Sequence, residues 1–137
     1  MWLGYSGIYK MNQDIATLIK ACEYVLQIKK TVHIVLKTRG RGKTKNLAGY
    51  CDSVFRNDRF VAHKIVIHLD TVVSSGYNMV DVIAHEFVHA SMLEHGLFNS
   101  EYHHDEVFQN MAQLLKTYLS NCGFEIGTLY DPVIDTD

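Results

Sequence analysis

The chain has 137 residues, 47% of them apolar, with a net charge of −2 and three cysteines. That is the length of one domain with a buried core, too apolar for a disordered chain and without the long apolar run of a membrane-spanning helix. The slightly acidic balance excludes a gross attraction to nucleic acid or membrane surfaces, and no CxxC pair is present from which a zinc ribbon could be built.

Met1 to Lys10 carries Trp2, Leu3 and Ile8 but neither a basic leader nor a long apolar segment, so a cytoplasmic protein with reduced Cys22, Cys51 and Cys122 is expected. The aromatic-rich start up to Met11 defines no element. From Asn12 to about Lys29, Ile15, Leu18, Ile19, Cys22, Val25 and Leu26 recur at helical spacing, with Asn12 or Asp14 available as a cap. Thr31 to Lys37 is short and β-branched and predicts a strand. Thr38 to Asn46 predicts a loop, Leu47 to Ser53 a second strand, Phe55 to Arg59 a turn, and Phe60 to Leu69 a third strand. Asp70 to Tyr77 reads as a loop, followed by a helix to about His95 that Gly96 can end. After a loop from Leu97 to Tyr102, a last helix is expected from about His103 to Asn121. Val107, Phe108, Met111, Leu114, Leu115 and Tyr118 form its apolar stripe. A tail follows, with an acidic end of Asp131, Asp135 and Asp137. The order α-β-β-β-α-α predicts one α+β domain over 1–137, with its core in about 14–121 and a tail over 122–137: a small mixed sheet of about three strands on three helices.

The chemistry concentrates in His85-Glu86-Phe87-Val88-His89. Two histidines four residues apart on a helix are one turn above each other and about 40° apart, so both imidazoles reach one ion. Glu86, next to the first histidine, can take a proton from an activated water without itself being a ligand. Asn78 is a good N-cap for this helix, and Asp81, three residues on, suits its first turn. The apolar face of Val80, Ile83, Ala84, Phe87 and Val88 means a buried helix, on which polar groups need partners that a metal supplies.

A catalytic zinc usually takes three protein ligands. His95 follows His89 by six residues, but if the helix runs on through Met92 it sits about 120° around the cylinder from His89 and misses the ion. His104 opens the next helix and can reach back across an antiparallel pair, with Phe108 packing beside it. His104 is therefore the first candidate, His95 the second and His103 the third. His33, His63 and His68 lie in or beside strands without ligand spacing and read as ordinary sheet residues.

HEFVHASMLEHG followed by HDEVFQNM resembles the SprT-like zinc metallopeptidases, the group that includes Spartan. Their pattern is HExxHA on one helix and a third histidine opening the next, followed four residues on by phenylalanine. His104 and Phe108 match; the glycine and proline of that second motif are absent. Leu47-Ala48-Gly49-Tyr50 and the strand Lys64 to Leu69 are similar as well. The resemblance covers about Asp14 to Tyr118. It implies a zincin-like minimal peptidase fold with His85, His89 and His104 on zinc and Glu86 as the catalytic base. Several members cleave proteins crosslinked to DNA; the cysteine-rich ribbon and long basic tail that accompany that role are not in this sequence.

The segment Lys37-Thr-Arg-Gly-Arg-Gly-Lys-Thr-Lys45 alternates charge with small residues and is either a solvated loop or a contact to the phosphates of DNA. Two other classes of function are compatible with these residues: a nucleic-acid-binding domain with a structural or vestigial zinc, and an inactive interaction module with a closed site.

Overall fold

A computed structural model describes residues 4–127, 129 and 131–135. Helix α1 (Gly4–Leu26) starts well before the expected Asn12 and ends before Lys29. Its end is set by Gln27 in the left-handed region (φ 54°), with Ile28 N–H returning to Glu23 O at 3.0 Å, a cap geometry that leaves the two lysines outside. Leu18, Cys22 and Leu26 form its buried face.

Strand β1 (Thr31–Lys37) has the expected bounds. Strand β2 (Gly49–Arg56) runs three residues past its expected end and β3 (Arg59–His68) begins one residue before its expected start, because the reversal between them takes only Asn57 and Asp58. Both residues have positive φ, 52° and 64°, the pair of left-handed conformations that a two-residue hairpin turn requires and that Asn and Asp tolerate. The sheet is mixed, in the order β1-β3-β2, with β1 parallel and β2 antiparallel to the central β3. A three-stranded mixed sheet packed on helices is therefore the α+β architecture expected.

The segment expected as a loop after β3 contains a short helix, α2 (Leu69–Ser74), which buries Val72. Helix α3 (Met79–Glu94) follows, capped by Asn78, whose Oδ1 accepts Val80 N–H at 2.9 Å. It is buried from Asp81 to Met92, because it runs between the sheet and helices α1 and α4 (Glu106–Asn121). Gly96 ends it at φ +70°. Helix α4 starts at Glu106 rather than His103: Asp105 is its N-cap, accepting Phe108 N–H at 3.0 Å, and His104 lies in the turn just before.

Beyond α4 the chain runs back over α3. Gly127 N–H donates to Asp81 at 3.0 Å, Leu129 and Ile134 are fully buried, and Ala48 N–H donates to Ile134 O at 2.9 Å. Asp81, expected to serve the helix start, thus also tethers this tail. The tail ends in a single 3-10 turn over Pro132–Asp135. Trp2, Leu3 and the Asp137 of the acidic end lie outside the described residues. No helix among the described residues is long and apolar enough to cross a membrane.

Candidate metal centre

His85 and His89 project from one face of α3, as their four-residue spacing requires, with ring centroids 5.0 Å apart. The turn before α4 brings His104 to them across the helix pair: its Nε2 lies 3.2 Å from both His85 Nε2 and His89 Nε2. Phe108, one turn into α4, packs against all three imidazoles at centroid distances of 4.6–4.9 Å. His95 turns away and bonds Leu26 O through Nε2 at 3.2 Å. His103 stacks on Phe98 at the rim of the cleft. Neither joins the group of converging ligand atoms among the described residues.

A fourth group does, and it was not expected. Asp135 reaches the three histidines from the tail, with Oδ1 3.0 Å from His85 Nε2 and 2.8 Å from His104 Nε2, and Oδ2 2.8 Å from His89 Nε2. One ligand atom from each of the four residues lies within 4.8 Å of the others. In the sequence Asp135 belongs to the acidic end of the tail, without ligand spacing to the histidines; the local hint is the apolar Ile134 beside it.

The second nitrogen of His85 determines its role. Nδ1 lies 2.7 Å from Leu129 O. A carbonyl only accepts, so Nδ1 carries a proton, and Nε2 is the nitrogen that would face a metal; without one it donates to Asp135. The partner of this ring nitrogen is thus a backbone carbonyl of the tail and not a carboxylate.

The charge distribution is as unusual as the geometry. Glu86 is fully buried, and its carboxylate oxygens make no hydrogen bond of good geometry among the described residues, although the Asp135 carboxylate stands beside them. Burial first, then the nearby Asp135 carboxylate, push its pKa well above the usual range. Burial also acts against ionisation of Asp135, but hydrogen bonds from His104, His85 and His89 outweigh it and hold that pKa far below normal. Burial lowers the pKa of His89 and so favours the neutral, metal-binding imidazole.

These residues fit a metal ion. Bonds of about 2.05 Å to a tetrahedral ion put neighbouring donor atoms about 3.3 Å apart, close to the 3.2 Å between nitrogens here. A dication would also relieve the buried carboxylate of Glu86. The site opens into a cleft of about 330 Å³ whose walls include Glu86, His89 and Asp135 on one side and Tyr50 to Ser53 of β2 on the other. Cys51 sits in that wall; burial, then Glu86, Asp52 and Asp135, raise its pKa and keep the thiol protonated.

Comparison of the chain with protein-family models, with curated proteins and with solved structures gives no match. The functional reading therefore rests on this geometry and on the motif resemblance alone.

Proposed function

We propose that the chain is a zinc-dependent peptidase of the SprT-like kind, cytoplasmic, with His85, His89 and His104 as metal ligands and Glu86 as general base. The observation that carries this reading is Glu86. A buried carboxylate without a hydrogen bond of good geometry is costly, and a purely structural metal site has no use for one. Here it lines an open cleft beside three convergent imidazoles, where a base for hydrolysis is needed. The three free cysteines suit a reducing compartment.

Zinc held by three imidazoles would polarise the scissile carbonyl and bring the pKa of a water down to about 7. The rest of the chemistry belongs to the chain. Leu129 O keeps His85 in the tautomer that binds through Nε2. Phe108 holds the three rings in place and keeps water from their backs. Glu86 accepts the proton of the attacking water and passes it to the leaving nitrogen. The cleft wall of β2 receives the polypeptide substrate, for which proteins associated with DNA are one source.

One observation favours a second reading. Asp135 occupies the place that an open catalytic site reserves for water and substrate. If it stays, the site is closed and the metal is structural, as in a binding or interaction domain; if it is a proton-compensated occupant of the metal-free state, it yields to substrate. Zinc content and hydrolysis of an unfolded protein substrate by wild type, Glu86→Gln and Asp135→Ala separate the two. The peptidase reading expects about one zinc per chain in all three. It also expects hydrolysis in wild type and Asp135→Ala, and a loss of about 10²–10⁴-fold in Glu86→Gln. Zinc lost in Asp135→Ala, together with no hydrolysis by wild type, would assign the structural site instead.

A further inference from the structure

A second pocket, of about 520 Å³, lies beside the metal cleft and shares Tyr50 with it as a wall. Its cations come from the end of β1 and the loop that follows: Lys37, Arg39 and Arg41. None of its lining residues is acidic; Asp70 lies 3.7 Å from Arg39 Nε, and both side chains are largely exposed. Thr44 supplies a hydroxyl on the same rim.

The floor is His68, only 1% exposed. Its Nδ1 donates to Leu47 O at 2.7 Å, which leaves Nε2 as the acceptor nitrogen of the neutral ring. Nε2 has no hydrogen-bond partner among the described residues. The loop is shaped around this ring: a Cβ on Gly40 would stand 2.6 Å from His68 Cε1 and 2.8 Å from Lys45 Cα. Only glycine lets the backbone close so near to the imidazole, and Gly42 completes the turn at φ +64°.

Three cations and one buried acceptor make an unusual combination. A fully deprotonated anion such as sulfate, or a phosphodiester in a polynucleotide backbone, offers the cations its oxygens but has no proton for Nε2. Inorganic phosphate at neutral pH offers both, two anionic oxygens for a guanidinium fork and a P–OH for the imidazole, and a phosphomonoester offers a P–OH in its singly ionised form, below its second pKa of about 6. We infer that this pocket is a binding site for a terminal phosphate group, either inorganic phosphate or a phosphomonoester. Its ligand lies one tyrosine away from the metal cleft. The inference stands independently of the peptidase reading.

The test uses the purified protein with inorganic phosphate and sulfate as probes, followed by amide and imidazole resonances and by calorimetry. Two arms add a short oligonucleotide with and without a 5′-phosphate. The expected result is saturable phosphate binding that shifts His68, Arg41 and Thr44. Affinity should fall about tenfold in Arg41→Ala or Lys37→Ala, the loss of one charge-assisted bond. It should be unchanged in Lys43→Ala, whose side chain belongs to the same loop but not to the pocket lining. Sulfate should bind at least tenfold more weakly, and the 5′-phosphorylated oligonucleotide better than its unphosphorylated form. Equal binding of phosphate and sulfate, equal binding of the two oligonucleotides, an effect of Lys43→Ala as large as that of Arg41→Ala, or shifts confined to His89 and His104 would each overturn it.

Discussion

At the scale of single residues, three histidines were available as third ligand, and backbone direction selects among them. His95 sits past the end of α3, where its ring reaches the Leu26 carbonyl; His103 and His104 are neighbours, but only His104 points inward. Replacing His104 with alanine is expected to abolish metal binding, because two imidazoles and a carboxylate hold a divalent ion far less tightly than three imidazoles and a carboxylate. His95→Ala and His103→Ala should keep about one metal per chain by elemental analysis. Retention of the metal in His104→Ala would discard the ligand set. The HExxH spacing made His85, Glu86 and His89 legible in advance, since His85 and His89 at i, i+4 and Glu86 and His89 at i, i+3 are neighbours on a helix whatever the rest of the fold does. Asp135 was not legible in that way. Its position depends on how a tail without periodicity crosses α3, and no local pattern encodes such a contact.

At the scale of elements, the decisive piece is the tail from Gly127 to Asp135. It is tied at Asp81, at His85 through the Leu129 carbonyl and at Ala48 through the Ile134 carbonyl. Leu129 is fully buried, so Leu129→Ala is expected to cost about 2–5 kcal/mol of stability in denaturant titration. The carbonyl that orients His85 belongs to the backbone and survives the substitution, so metal affinity should stay within about tenfold of wild type. A larger loss of affinity would show that the buried side chain is what holds this carbonyl against the ring. Element types were mostly readable from periodicity and caps. The exceptions have physical causes: α2 is too short to display a helical period, and the tight Asn57-Asp58 turn lets the flanking strands run further than a five-residue turn would.

At the scale of the whole molecule, Glu94 joins three parts of the fold. At the end of α3 it accepts Lys29 N–H at 2.7 Å and Lys30 N–H at 3.1 Å from the α1–β1 connection, and His63 Nε2 from β3 at 2.8 Å. His63, expected to be an ordinary sheet residue, is instead a buried partner in this junction. Burial works against the charge on Glu94, but the bonds from Lys29, His63 and Lys30 outweigh it, so its pKa is lowered in the folded state from 4.5. A lowered folded pKa contributes stability that is present above the unfolded value and lost as pH falls through the folded one. Glu94→Gln should therefore be less stable than wild type at pH 7 by about 1–3 kcal/mol, with the gap closing below pH 4.5. A gap that stays constant from neutral to acid pH would rule out the charge as its source. By itself the sequence determined the α+β class, the buried motif helix and the pairing of His85 with His89, because each follows from a period of two or of 3.6 residues along the chain. Only the tertiary structure decided that His104 completes the group, that Asp135 lies against it and that His68 and His63 are buried. Those outcomes depend on which distant backbones meet, and burial assigns a polar side chain its role only once its neighbours are in place.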